Sequence, residues 1–157
     1  MTFTCKVNRK GALVCRYLAY KLPNSDSFLR LPLINIRLKS KTLGLKTVAL
    51  VDSGATTTFI PTELAEILEL SKVEDEGKEI DAHGGGGHFK TWLTCLDTLE
   101  FVKGASVAVE FRNIRALVPT NPEAIPYVVL GRDYIFRSFD ITFRERRERT
   151  VFRQSKA

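Results

Sequence analysis

The chain has 157 residues, 44% of them hydrophobic and 27% charged, which is the size and balance of one globular domain with a single substantial core. No apolar stretch approaches the ~20 residues needed to cross a bilayer, and Met1-Thr2-Phe3-Thr4-Cys5-Lys6 has no apolar h-region behind it, so a cytoplasmic location with no membrane partner is expected. The net charge of +6 raises the question of nucleic acid. However, Arg144-Glu145-Arg146-Arg147-Glu148-Arg149 interleaves acids with its arginines, as a solvated hairpin tip does, so nucleic acid is not expected as a partner.

The pattern along the chain is mostly β. Residues 3 to 7 and 12 to 22 are strand-like, and Asn8-Arg9-Lys10-Gly11 between them reads as a hairpin turn. The three cysteines, Cys5, Cys15 and Cys95, are odd in number and lack CxxC spacing. They read as small apolar fillers, a Cys5–Cys15 bridge across the hairpin being the less favoured alternative. After the loop Pro23 to Ser27, the segment Phe28 to Leu38 alternates in part, with Pro32 marking an edge or bulge. Leu45 to Val51 is almost uninterruptedly apolar and predicts a strand buried on both faces.

The clearest helix is Pro61 to Leu70. Pro61 suits its first turn, Glu63 lies near the positive end of the dipole, and Leu64, Ile67, Leu68 and Ala65 share a face. Strands are predicted at Trp92 to Phe101 and Ser106 to Val118, followed by a loop from Pro119 to Pro126 and a short strand ending at Gly131. A short helix over about 132–137 and two strands, Phe139 to Phe143 and Thr150 to Arg153, close the chain. With no repeat or linker, residues 1–157 read as one domain, 1–25 an N-terminal hairpin or arm and 28–153 the core.

Asp52-Ser53-Gly54-Ala55 directly follows the apolar strand and occurs once. A carboxylate rigidly presented at a strand end suits general acid–base work on a water molecule. Ser53 supplies a hydroxyl that can lock paired loops, Gly54 allows close backbone approach with its N–H turned to the carboxylate, and Ala55 leaves room beside the reacting atoms. Thirty residues on, Gly84, Gly85, Gly86 and Gly87 suit a mobile hairpin tip over a bound peptide. No Gly-Lys-[Ser/Thr] follows, which excludes a phosphate-binding P-loop. His83 and His88 flank these glycines at a spacing that fits neither a helical nor a knuckle ligand pair. They read as surface histidines, and no metal site or other cofactor is expected. The last motif is Val128-Val129-Leu130-Gly131-Arg132-Asp133, an apolar strand running into glycine and a polar helix start.

In this order and spacing, the three motifs resemble the retropepsin-like aspartic peptidases, the single-lobed family of retroviruses, retrotransposons and some cellular proteins. The resemblance spans about residues 28 to 153 and looks closer to cellular and prokaryotic members than to viral ones. It implies a mostly β, closed, barrel-like acid-protease fold with one or two short helices. It further implies a homodimer in which Asp52 meets its symmetry mate, with extended peptides as substrates. Ser53 would interlock the subunits, Gly54 line the substrate floor, and Gly84 to Gly87 form the flap. Leu130, Gly131 and Arg132 would pack beneath the active-site loop as structural support. Viral members often carry an acidic residue shortly after the catalytic tetrapeptide. Thr56-Thr57-Thr58 stands there instead, so that brace must be built differently.

Asp133, near a helix start, and Asp140, in a strand, lack the hydroxyl–glycine context of Asp52 and are not expected to complete a dyad within one chain. Two other readings compete with a peptidase. One is a non-catalytic dimerisation or peptide-binding module of the same fold. The other is a basic nucleic-acid-binding β domain, which would need aromatics exposed among the arginines. Phe143 and Phe152 flank that cluster, but their alternation suits a core better.

Overall fold

The computed structural model describes residues 5–73, 78–84 and 87–156. In chain order these form β1 (Cys5–Val7), β2 (Leu13–Arg16), β3 (Leu18–Lys21), β4 (Phe28–Leu31), β5 (Leu33–Lys39), β6 (Gly44–Val51), α1 (Thr62–Ile67) and β7 (Ile80–Gly84). Then follow β8 (Gly87–Lys103), β9 (Ser106–Pro119), β10 (Val128–Leu130), α2 (Ile135–Ser138), β11 (Phe139–Arg144) and β12 (Arg149–Gln154). The mostly β expectation holds. The strands make three sheets, in the orders β1-β2-β12-β11, β10-β6-β5-β8-β7 with β9 also on β8, and β3-β4. The body is barrel-like without closing into a true barrel, because each sheet keeps edge strands.

Local chemistry explains the breaks. The Asn8 carboxamide accepts hydrogen bonds from the N–H groups of Lys10 at 2.9 Å and Ala12 at 3.0 Å, which closes the β1–β2 turn. Pro32 has no N–H for a ladder and separates β4 from β5, while its carbonyl accepts the Val51 N–H at 3.1 Å. The predicted strand over 12–22 divides at Tyr17. This residue leaves the ladder to donate its backbone N–H to the Glu148 carbonyl at 2.8 Å and its hydroxyl to Glu145 at 2.5 Å.

Three expectations need correcting. Cys5 and Cys15 are joined by a disulfide, because the β1–β2 register sets them directly opposite each other; only Cys95 is free, and it is exposed. In β6, Ala49 and Val51 are buried, but Lys46 is exposed. β10 covers only residues 49–51 of β6, which leaves its first half with β5 alone. The helix α1 ends at Ile67, which is 54% exposed, and the buried pair is Ala65 and Leu68. Six residues are too few to carry an apolar stripe past the second turn.

The core lies between the central sheet and the terminal one. Phe101 of β8 touches Phe152 of β12 at 5.4 Å between ring centroids and Phe111 of β9 at 5.7 Å, with Phe139 against the same group. Among the described residues, one charged side chain is buried. Glu100 is 2% exposed and is held by Lys39 at 2.8 Å and Arg37 at 3.2 Å, both from the neighbouring β5. A buried carboxylate needs such pairing, since desolvation without it would cost several kcal/mol.

Tyr17 yields an expected pH dependence. Burial, then the hydrogen bond and charge of Glu145, push its phenol well above the ordinary tyrosine range. The folded state therefore holds this proton more tightly than the unfolded chain. The resulting stability is complete below about pH 10 and drains away as pH rises further. Tyr17→Phe should cost about 1 kcal/mol at neutral pH and flatten the decline in urea midpoint between pH 9 and 11. An equally steep decline in the variant would contradict this assignment.

Candidate active site

β6 delivers Asp52 to the end of a central strand, between two neighbours. On one side the Asp52 N–H donates to the Leu130 carbonyl of β10 at 3.1 Å; on the other, Pro32 holds Val51. The Asp52 carboxylate is half-buried, and its Oδ1 accepts the Gly54 N–H at 2.8 Å. One carboxylate oxygen is thereby fixed while the group stays open to solvent. A Cβ on Gly54 would stand 3.1 Å from that same oxygen, so a side chain there would crowd the carboxylate. Ser53 is exposed beside it and Ala55 is half-buried.

The loop after the tetrapeptide is pinned from the last motif, Val128 to Asp133. The Arg132 N–H donates to the Ala55 carbonyl at 2.9 Å. Phe59 and Val129 exchange backbone hydrogen bonds at 2.9 and 3.0 Å. Gly131 is required where it stands, because a Cβ would meet the backbone of Thr57 at 2.5 Å. Leu130 is fully buried, whereas the Arg132 side chain is exposed.

The sequence reading missed the strongest tie. Buried Thr58 donates its N–H to Asp133 Oδ2 and its hydroxyl to Asp133 Oδ1, both at 2.8 Å. Both oxygens of one carboxylate are used, and the two bonds clamp the Asp52 loop just before α2. The available signal was adjacency: Thr58 comes shortly after the first motif, and Asp133 ends the last one. Asp133 is thus committed to bracing, and Asp140 accepts a hydroxyl hydrogen bond from Ser155 at 3.3 Å in the terminal sheet.

β7 and the start of β8 form a hairpin, the segment expected from the sequence to serve as a flap, with Gly84 opposite Gly87; Gly85 and Gly86 lie outside the described residues. One face packs inward, through buried Ala82 and through Phe89, whose ring lies 5.9 Å from Phe59 next to the pinned loop. Strand alternation turns His83 and His88 to the other face, where both are exposed. Beside the carboxylate, Tyr127 stacks edge-on against Tyr20 of β3, with ring centroids 5.4 Å apart. Burial, then Tyr20, then the negative charge of Asp52 raise the Tyr127 phenol above its usual range. Neither tyrosine was anticipated in this neighbourhood.

Known proteins resemble this chain in sequence profile and in fold. The profile of a family described as aspartyl protease matches residues 38–134, from β5 through the last motif. A retropepsin-like aspartic protease from Rickettsia conorii is similar in structure, with a TM-score of 0.55 and 18% identity over 100% of this chain and 99% of its own. The EIAV protease, solved with the inhibitor HBY-793, gives a TM-score of 0.47 and 21% identity, covering 74% of this chain and 93% of its own. No curated protein matches the sequence. Among the described residues, no helix is long and apolar enough to cross a membrane. With Asp52-Ser53-Gly54-Ala55 and Val128 to Asp133 both inside the matched segment and the retropepsin-like fold around them, the chain belongs to the aspartyl protease family.

Proposed function

We propose that the protein is an aspartic endopeptidase that acts as a homodimer, with Asp52 of each copy forming one dyad. The observation that carries this reading is the Asp52 carboxylate itself: half-open, fixed through one oxygen by Gly54, and set on a loop braced at Ala55, Thr57 and Thr58. The two other carboxylates weighed as partners, Asp133 and Asp140, are engaged elsewhere, which favours a second copy as the source of the other acid. Two carboxyl groups held face to face cannot both ionise readily, so one keeps its proton. The ionised member draws a proton from a water molecule, and the protonated member donates a hydrogen bond to the scissile carbonyl. Water adds to that carbonyl to give a tetrahedral diol, whose collapse expels the amine.

The flap hairpin supports a peptide substrate, because an extended backbone can pair with exposed strand edges while side chains enter apolar pockets. Ser53 is proposed to link the subunits, Gly84 to Gly87 to close over the peptide, and Leu130, Gly131 and Arg132 to support the loop. The nucleic-acid reading is disfavoured by the arginine-rich turn. Phe152 beside it is 1% exposed and belongs to the core, so it is not available for stacking on bases.

The test is cleavage of a diverse peptide library between about pH 3 and 7, with specific activity followed on dilution and mass in solution measured in parallel. The expected result is cleavage at unique peptide bonds, with activity per chain falling as the dimer dissociates. A strictly monomeric protein with full activity would refute the shared dyad. A dimer that cleaves nothing would instead favour a non-catalytic peptide-binding module.

A further inference from the structure

We propose that His83 and His88 together bind a divalent transition-metal ion, of the zinc, copper or nickel kind, and that this ion staples the two strands of the flap hairpin. Their spacing in sequence suits neither a helical nor a knuckle site, but the hairpin changes the geometry. The two residues are direct partners in the β7–β8 register, one pair before the Gly84–Gly87 closing pair. Residues opposed in this way carry their Cβ atoms about 5 Å apart on one face of the ladder. The rings have indeed come together, with centroids 4.1 Å apart and planes inclined at 67°.

An ion about 2.0–2.1 Å from one nitrogen of each ring would set the centroids roughly 5 Å apart in tetrahedral geometry. The rings must therefore open by about 1 Å. Both are exposed, which gives the rings room to rotate. Imidazole nitrogens are good ligands for zinc, copper and nickel, and two leave room for water in the remaining positions. Among the described residues, the charged groups on this face are Asp81 and Lys90, with Glu79 just beyond. Lys90 lies 3.2 Å from Asp81 and 3.7 Å from Glu79, so the acids offset the lysine charge next to the proposed cation. In the proposed peptidase, on which this consequence rests, cross-linking here would act on the flap, since a two-stranded ribbon has little stability of its own.

The chain contains two histidines, so its imidazole resonances report this site without interference. The experiment titrates zinc chloride into the full-length, non-reduced protein, freed of metal beforehand, and follows the imidazole proton signals together with amide exchange in β7 and β8. Both signals should move in step and saturate at one ion per chain, with exchange in the hairpin slowing. His83→Ala and His88→Ala should each weaken zinc binding by roughly tenfold or more, while Cys95→Ser leaves it unchanged. Movement of only one imidazole, single variants that bind as tightly as the original, or binding that follows Cys95 would each overturn the proposal. All of these readouts are independent of peptide cleavage.

Discussion

Asp52→Asn is expected to eliminate peptide hydrolysis while leaving the fold in place. The amide is nearly isosteric with the carboxylate, and its oxygen can still accept the Gly54 N–H that Asp52 Oδ1 accepts at 2.8 Å. The side chain is half-buried, and among the described residues it makes no ion pair that neutralisation would break, so the urea midpoint should barely move. What disappears is the proposed general base. Loss of a general base alone costs about 10²–10⁴ in rate, and in the proposed dimer both halves of the dyad would change at once. Mixing is more telling than the variant by itself. Added in excess, Asp52→Asn chains should suppress the original protein by drawing it into dimers with one carboxylate. Progress curves with a peptide that the original protein cleaves would show this. Unchanged hydrolysis by the pure variant would refute the mechanism.

The second large effect is structural. Gly131→Ala should destabilise the protein by about 3 kcal/mol or more, lowering the melting temperature by on the order of 10 °C for a chain of this size. The new Cβ would approach the Thr57 carbonyl oxygen to 2.5 Å, its carbon to 2.6 Å and its nitrogen to 2.7 Å. Backbone cannot step aside as a flexible side chain can. Retreat of Thr57 would pull on the hydrogen bonds of Ala55 to Arg132 and of Thr58 to Asp133, so lost stability and a displaced Asp52 should arrive together. Gly44→Ala is the control. Its nearest neighbour would be Lys39 Cγ at 3.3 Å, the flexible stem of a lysine, and its effect should stay within about 0.5 kcal/mol. Thermal melts of the two variants decide between a steric requirement and a generic glycine effect.

These two positions also show what the sequence made legible. Asp52 and Gly131 stood out because each follows an apolar strand in a short, chemically marked motif, and local patterning is enough to find such features. The Thr58–Asp133 clamp joins residues 75 positions apart, and neither has a periodicity that betrays its partner. Tyr20 and Tyr127 meet for the same reason, through sheet topology that no local window contains. The Cys5–Cys15 bridge was outweighed by a general rule about compartments, although the hairpin read from Asn8 to Gly11 already implied that the two cysteines face each other. Strand existence was read well, and strand extent poorly. β8 runs from Gly87 to Lys103, beginning in the hairpin with β7 and passing through the core at Phe101, because pairing with β9 overrides the polar residues that blur its pattern.

The terminal sheet has a bearing on how activity would be switched on. β12 has β2 on one side and β11 on the other, both from its own chain, so its hydrogen-bonding capacity is spent before any second copy arrives. A separated copy therefore keeps this sheet and the phenylalanine core beneath it. In the proposed enzyme, folding and assembly become separate events: a latent, already folded protomer accumulates first, and abundance then acts as the trigger through mass action.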